Sequence, residues 1–234
     1  MRKEALIFGS SGALGGGVVK TLLKGEFDHL YFFDMHMPED ELPAVTKVVT
    51  GDLSDSANVK KAFEFVDPSE DKLLFLFSTV GGFVGSKMIE ETTDQDLQKM
   101  FSMNFTSNFN ILREFKQKVA KCAGGSAIFT SAYTAFAGEA GKSVYGASKS
   151  ALSHLVETGS EEGRAINLSV NGIAPFIIDT PANRSWMTET NFDTLIKPEE
   201  VGNLLLSVFR NFNFVSGNII KLPYRFPVNF NPQK

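Results

Sequence analysis

Seven short apolar runs alternate with amphipathic segments along the chain, and this alternation is the feature that most constrains its fold. The run KLLFLFSTV at 72–80 is apolar at nearly every position, which is typical of strands buried on both faces of a parallel sheet. Strands that alternate with helices predict a doubly wound α/β sheet in three α/β/α layers. The predicted strands are 5–8, 30–34, 46–50, 72–80, 126–132, 166–175 and 217–222, and the predicted helices are 14–24, 55–65, 93–121, 143–162 and 198–209.

Composition narrows the class of protein further. Neither a linker nor an internal repeat interrupts the alternation, so the 234 residues are predicted to form a single domain over 1–234. The formal net charge of −4 and the lack of a basic block argue against nucleic acid or an anionic membrane surface as a partner. Cys122 is the only cysteine, which excludes an intrachain disulfide and fits a reducing, cytoplasmic compartment. No spacing indicates a metal site, and no apolar stretch is long enough to span a bilayer.

Glycines are concentrated at 9–17, directly after the first predicted strand and at the start of the first predicted helix. Residues without a Cβ let the backbone tighten and approach a pyrophosphate, which the free N–H groups at the helix N-terminus then bind. This placement predicts a dinucleotide-binding, Rossmann-type fold. The predicted phosphate-binding residues are Gly9, Ser11, Gly12, Ala13, Leu14 and Gly15.

Acidic residues follow the second and third predicted strands. Asp34 ends the second strand, at the distance from the glycine turn where a carboxylate binds the adenosine ribose hydroxyls. A carboxylate there repels a 2′-phosphate, and no arginine follows it, so NADH is favoured over NADPH as the cofactor. Asp52, with Leu53 beside it, is placed to reach the adenine edge; the alternative for Asp52 is a turn or helix N-cap role.

The segment SVYGASK places Tyr145 four residues before Lys149, with only small residues between them. On a helix this spacing puts both side chains on one face. An ammonium group near a phenol lowers the phenol's pKa from its ordinary value of about 10, which suits a general acid near neutral pH. Taken alone, the same spacing also fits an ordinary amphipathic helix.

With the glycine turn, Asp34 and the Tyr145–Lys149 pair, the chain resembles the short-chain dehydrogenase/reductases over nearly its whole length. The resemblance implies that Tyr145 donates a proton, and that Lys149 lowers the pKa of Tyr145 and holds the nicotinamide ribose. It also implies that Asn104 anchors a proton-relay water; the alternative for Asn104 is a polar position on a long helix.

Two further segments match cofactor contacts of that family. PFIIDT at 175–180 is similar to the segment that holds the nicotinamide carboxamide, although Phe176 stands where the family usually has glycine. Gly81 and Gly82, at the end of the fourth predicted strand, let the backbone pass close to the adenosine ribose. The resemblance implies further cofactor contacts from Pro175, Ile178 and Thr180.

One position departs from the family pattern. The family usually has a serine thirteen residues before the tyrosine, at the end of the fifth strand, where it hydrogen-bonds the substrate carbonyl. Here Ala132 occupies that position and Ser131 precedes it. A shift of one residue on a strand turns a side chain to the opposite face. Either the chain lacks this hydroxyl, or the strand end is irregular and Ser131 contacts the substrate.

A narrower resemblance fits this departure. The segments IFGSSGALGGG, VGGFVGSK and DTPANRSWM are similar to those of the quinonoid dihydropteridine reductases, a branch that uses NADH and lacks the serine. This implies reduction of a quinonoid dihydropterin, such as dihydrobiopterin, to the tetrahydropterin. Phe83 stands where that branch has an aromatic residue beside the pterin; the alternative is a loop phenylalanine that caps the core. Asn183 and Arg184 are positioned to bind the polar edges of the pterin; the alternative is an exposed loop pair. These two residues belong to a predicted substrate loop around 179–196.

Two other functions remain open. A carbonyl or alcohol dehydrogenase is the first, with Ser131 as a relocated serine. The second is a protein that binds NADH as a sensor without catalysing a reaction, although the intact Tyr145–Lys149 pair argues against it.

The resemblance also predicts a homodimer, because the family pairs its two long helices, here 93–121 and 143–162, with those of a second copy. Phe101, Phe105, Phe109 and Leu112 form a stripe at helical spacing that suits such an interface or, alternatively, the sheet. The phenylalanine-rich tail at 209–234 is predicted to cover either the pterin pocket or the dimer interface.

Overall fold

The structure, a computed structural model, describes residues 1–84 and 86–226. The strands found there are β1 (Arg2–Phe8), β2 (His29–Asp34), β3 (Val45–Val49), β4 (Lys72–Ser78), β5 (Gly124–Thr130), β6 (Leu168–Pro175) and β7 (Ile219–Leu222). The helices are α1 (Ala13–Leu22), α2 (Ser56–Phe63), α3 (Asp94–Phe101), α4 (Ser107–Val119), α5 (Ser143–Gly163), α6 (Pro181–Arg184) and α7 (Pro198–Arg210).

The strands form one sheet in the order β3-β2-β1-β4-β5-β6-β7, and every neighbouring pair is parallel. Because all strands run the same way, their carboxyl ends meet at one edge of the sheet, where α/β folds bind ligands. Side chains alternate between two cores. One core contains Phe8 and Phe33 with α2 and α4, and the other contains Ile7 and Phe32 with α1 and α7. The predicted doubly wound, three-layer fold is confirmed.

The long helix predicted over 93–121 is divided in the structure. Thr93 caps the start of α3 by accepting a hydrogen bond from Asp96 N, but a π-helical turn, Ser102–Thr106, separates α3 from α4. The extra residue in this turn rotates everything that follows relative to α3. Of the predicted stripe, Leu112 is buried in the core, which is the alternative that the sequence left open, whereas Phe109 is 41% exposed.

The other elements begin and end within a few residues of the predictions. The predicted loop around 179–196 contains α6 and a 3-10 helix, Glu189–Thr194, which the sequence did not indicate. The tail at 209–234 contains the last two residues of α7 and all of β7, and its last part, 227–234, lies outside the described residues. Among the described residues, no helix has the length and apolar character of a membrane span, and no cluster of side chains suits a metal ion.

Candidate active site

The glycine turn packs its backbone more closely than any residue with a side chain allows. A Cβ on Gly15 would lie 1.9 Å from the carbonyl oxygen of Gly9, and Gly9 itself has a φ of +81°. Gly12 is the N-cap of α1 and makes no side-chain cap hydrogen bond. The first N–H groups of α1 are therefore free of a side-chain cap and suit the pyrophosphate of a dinucleotide.

Asp34 lies beside this turn at the carboxyl end of β2. One carboxylate oxygen accepts from Ser11 N at 2.9 Å and the other accepts from Met35 N at 2.7 Å. Each oxygen retains a further lone pair, which suits a ribose hydroxyl. Asp34 thus fixes the glycine turn and keeps a carboxylate at the carboxyl end of β2.

The two residues predicted near the adenine have structural roles as well. Asp52 accepts from Ser54 N at 2.9 Å, which is the turn role that the sequence left open. The side chain of Leu53 is buried in the core, and its carbonyl oxygen accepts from Asn110 Nδ2 at 3.1 Å. A cofactor contact from Leu53 is therefore limited to its remaining backbone atoms.

Tyr145 and Lys149 lie on α5, and their pKa values differ from the sequence-based expectation. Burial raises the pKa of Tyr145 to about 12, and the negative charge of Glu139 contributes to the increase. The expected decrease caused by Lys149 is wrong in this structure. Lys149 Nζ instead donates to the carbonyl oxygen of Thr130 at 2.7 Å, and desolvation lowers the pKa of Lys149 to about 8.

Asn104 lies on the π-helical turn and is completely buried. Its Oδ1 accepts from Gly82 N at 2.9 Å, and its Nδ2 donates to Gly82 O at 3.0 Å and to Ser148 Oγ at 3.1 Å. Its carbonyl oxygen accepts from Asn108 Nδ2 at 2.9 Å. The side chain thus fastens the loop after β4 to α5. The water-anchoring role of Asn104 stays a prediction.

The side chains of Asn104 and Lys149 both approach the backbone at Gly81. Its φ is +152°, and a Cβ at this position would lie 2.5 Å from Asn104 Oδ1 and 2.9 Å from Lys149 Nζ. The carboxamide and the ammonium group therefore converge on the backbone of Gly81. Met103 packs against Gly82, because a Cβ placed on Gly82 would lie 2.2 Å from Met103 Cε.

Substituting Gly81 by alanine is expected to lower kcat/KM by about 10²-fold, because displacing a catalytic group by about 1 Å has an effect of that size. The added methyl group must displace Lys149 Nζ, Asn104 Oδ1 or both, in addition to straining the backbone. Gly138→Ala is the matched control, because a Cβ on Gly138 would meet no atom of the described part of the chain within 4 Å. Steady-state kinetics of both variants test this; equal activities would contradict it.

The segment 175–184 shapes the site beyond β6, which ends at Pro175. Asn183 Nδ2 donates to the carbonyl oxygen of Ile178 at 2.7 Å, and Thr180 Oγ1 caps α6 by accepting from Asn183 N at 3.1 Å. The Asn183 side-chain amide thus stabilises the loop that carries the predicted carboxamide contacts. The structure gives no support to its predicted role as a substrate contact.

Arg184 is likewise engaged within this segment. Its guanidinium donates to both carboxylate oxygens of Asp179, at 2.5 and 2.7 Å, and lies 4.6 Å from the ring centroid of Phe192. It borders a cavity of about 390 Å³ between α1, α6 and the start of α7, which Ala13 and Gly17 also line. Arg184 thus lies beside α1 in an ion pair, and its predicted contact with the pterin is not supported. Asp179, its partner, was missed by the sequence analysis, although a DTPANR segment places the two charges near each other.

The substrate-side residues divide into two groups. Phe83 is 51% exposed and meets the ring of Tyr145 edge-on, with centroids 5.0 Å apart. Ser131, by contrast, is buried between β5 and α5, where its Oγ donates to Lys149 O at 3.1 Å and lies 2.7 Å from Ser153 Oγ. The prediction that Ser131 binds substrate is therefore wrong, because its hydroxyl faces α5.

Comparisons with known proteins agree with this geometry. The family model for the short chain dehydrogenases matches residues 3–191. The dihydropteridine reductase of Dictyostelium discoideum is 28% identical over 225 residues, which cover 94% of each chain. The 3-oxoacyl-acyl-carrier-protein reductase of Chlamydia pneumoniae is 23% identical over 222 residues, which cover 87% of this chain and 88% of that protein. The structure of ElxO with NADP bound has a TM-score of 0.82 at 18% identity, covering 95% of this chain and 98% of ElxO.

The extent of the family match decides the classification, because residues 3–191 include the glycine turn, Asp34, Asn104 and the Tyr145–Lys149 pair. The chain belongs to the short-chain dehydrogenase family of oxidoreductases.

Proposed function

We propose that this oxidoreductase uses NADH to reduce a quinonoid dihydropterin, such as dihydrobiopterin, to the tetrahydropterin. The observation that carries the proposal is the exposed ring of Phe83 against Tyr145, since an aromatic surface beside a proton donor suits a flat heterocycle. Two further points support it. The Dictyostelium relative is named as a dihydropteridine reductase, and neither Ser131 nor Ala132 offers the hydroxyl with which the family usually binds a ketone.

In this mechanism bound NADH supplies the hydride, and the residues of the chain hold the reactants and supply the proton. Tyr145, with its pKa raised to about 12, keeps its proton at neutral pH until the substrate accepts it. Lys149 is charged below about pH 8, and in this proposal its ammonium group would hold the nicotinamide ribose. The hydride and the proton together make the two-electron reduction of the pterin.

The test is NADH oxidation, followed by absorbance, with freshly generated quinonoid dihydropterin as the substrate. We expect rapid, enzyme-dependent NADH consumption. No consumption above the uncatalysed rate would overturn the proposal and lead to a panel of ketones and aldehydes. The two remaining alternatives predict different outcomes: a carbonyl dehydrogenase reduces members of that panel, and a sensor binds NADH but reduces nothing.

Asp34→Asn is expected to weaken NADH binding by about 10- to 100-fold, because hydrogen bonds to a charged group contribute about 1.5–3 kcal/mol. The binding of NADPH should weaken less or improve, because the substitution removes a like charge. The introduced carboxamide would also retain one side-chain oxygen for Ser11 N or Met35 N. KM values for both cofactors measure the change. Asp55→Asn is the control, because Asp55 caps α2 and asparagine is an equally good N-cap; a similar loss in that variant would contradict the role of Asp34.

We further propose that each chain forms a single domain over 1–234. Two copies would form a cytoplasmic homodimer through α3–α4 and α5. The single cysteine, Cys122, supports a reducing compartment. The exposed Leu97 and Phe109 on α3 and α4 support a covered interface. Sedimentation equilibrium tests the dimer.

A further inference from the structure

We propose that Tyr133 binds the substrate: its hydroxyl hydrogen-bonds the polar rim of the flat heterocycle, while Phe176 supports the ring of Tyr133. This inference rests on the proposed pterin reduction. It concerns binding and orientation of the substrate, and leaves proton donation to Tyr145.

The position of Tyr133 in the fold is the first argument. Phe83 follows β4, Tyr133 follows β5 and Phe176 follows β6, and these three strands are neighbours in the sheet. The three aromatic residues therefore succeed one another along the carboxyl edge, where the cofactor and substrate of this fold are bound. Phe176 is also the residue that replaces the family's usual glycine.

The turn that carries Tyr133 is fixed to the helix that carries the proton donor. Tyr133 begins the 3-10 helix Tyr133–Ala135, whose last carbonyl oxygen accepts from Ser150 Oγ on α5 at 2.8 Å. A Cβ on Gly146 would lie 3.1 Å from Thr134 O, so the neighbours of Tyr133 and Tyr145 in sequence are in contact. This arrangement holds Tyr133 close to the reacting end of the site.

The ring and the hydroxyl of Tyr133 have different surroundings. The ring meets Phe176 edge-on, with centroids 5.7 Å apart, and the backbone of Phe176 is fixed by a hydrogen bond from its N to Leu222 O at 2.9 Å. Within residues 1–84 and 86–226, the Tyr133 hydroxyl makes no hydrogen bond, and its oxygen atom is not buried. A half-buried tyrosine normally directs its hydroxyl to a partner. The Tyr133 hydroxyl is therefore exposed to solvent and accessible to a ligand that enters the site.

A pterin matches both parts of this residue. Its fused ring is flat and aromatic, and its rim carries oxygen and nitrogen atoms that accept hydrogen bonds. The phenol hydroxyl reaches further from the backbone than the serine hydroxyl that Ala132 lacks, so it can contact the rim of a large heterocycle. Phenylalanine at 133 would keep the ring contact with Phe176 and remove only this hydrogen bond.

The experiment compares Tyr133→Phe with the wild-type enzyme, using quinonoid dihydropterin at saturating NADH. We expect the KM for the pterin to rise about 2- to 12-fold, since a neutral hydrogen bond contributes about 0.5–1.5 kcal/mol. The kcat, the KM for NADH and the Tm should stay close to the wild-type values. Tyr31→Phe is the matched control, because it also removes only a phenol hydroxyl, one that is buried and donates to Glu4 Oε2 at 3.2 Å; the KM for the pterin should not change in it.

A second variant tests the ring contact. Phe176→Gly restores the usual family residue and removes the support of Tyr133, so it should also raise the KM for the pterin. If Tyr133 and Phe176 act as one unit, the KM for the pterin should rise in the double variant by less than the product of the two single rises. An unchanged KM in an active Tyr133→Phe enzyme would overturn this inference alone. A wild-type enzyme that does not reduce the pterin would overturn the proposed function, and this inference with it.

Discussion

Replacing Tyr145 by phenylalanine is expected to lower kcat by about 10²- to 10⁴-fold, the range that general acid catalysis contributes. The substitution removes the only atom of this side chain that carries a transferable proton. It retains the ring that meets Phe83 edge-on, so the aromatic surface is preserved. Steady-state NADH oxidation measures the loss, and NADH binding, followed by fluorescence, should be unchanged. A variant that keeps more than a tenth of the wild-type kcat would remove Tyr145 as the obligatory acid.

The pH dependence of the wild-type enzyme separately tests the role of Lys149, the residue paired with Tyr145. The pKa of Lys149 is lowered to about 8, so the ammonium group is present below that pH and is lost above it. The kcat/KM for NADH, which reports the free enzyme, should therefore fall as pH rises through about 8. A profile that stays flat to pH 10 would show that the charge of Lys149 is not needed to bind the cofactor.

Replacing Lys72 by methionine is expected to cost about 3–5 kcal/mol of unfolding free energy, as for other buried ion pairs that lose one partner. Lys72 Nζ lies 2.9 Å from Glu4 Oε1, and both side chains are almost completely buried. The Tyr31 hydroxyl also donates to Glu4 Oε2, at 3.2 Å. Without Lys72, the Glu4 carboxylate remains buried with one neutral partner. Urea unfolding, followed by circular dichroism, measures the loss.

Two further variants show whether the loss of stability comes from the buried Glu4 carboxylate or from the loss of a positive charge as such. Arg2→Met breaks a pair with Asp71 in which both side chains are more than half exposed, so its effect should be much smaller. Adding Glu4→Gln to Lys72→Met removes the stranded carboxylate and should recover most of the loss. If the single and double variants are equally unstable, packing of the lysine stem, and not the buried charge, accounts for the loss.

The sequence predicted the sheet well because its strands are apolar on both faces, as β4 illustrates. It did not predict the π-helical turn at Ser102–Thr106. The residues of this turn are compatible with an ordinary helix, and the hydrogen bonds of Asn104 and Asn108 that accompany it involve the distant loop after β4. Such a turn depends on tertiary contacts, which a local pattern does not contain.

In the active site, the sequence identified the catalytic pair but not the surroundings that set its pKa values. The spacing of Tyr145 and Lys149 identified the pair, but the direction of the pKa changes follows from desolvation and from Glu139, which only the folded chain brings into place. Asn183 and Arg184 were assigned to the substrate from their position in a loop. Their hydrogen bonds to Ile178 and Asp179 depend on the conformation of that loop.

The parallel sheet also has a consequence for how the chain is made. β1 is first along the chain but lies inside the sheet, where Arg2 pairs with Lys72 of β4. A chain emerging from the ribosome can pair β1 with β2 early, but the other side of β1 stays open until β4 has been synthesised. An apolar strand with one free edge is a site for pairing with other chains. During this interval of synthesis β1 is therefore exposed to pairing with other chains, and a chaperone that covers β1 would protect the protein.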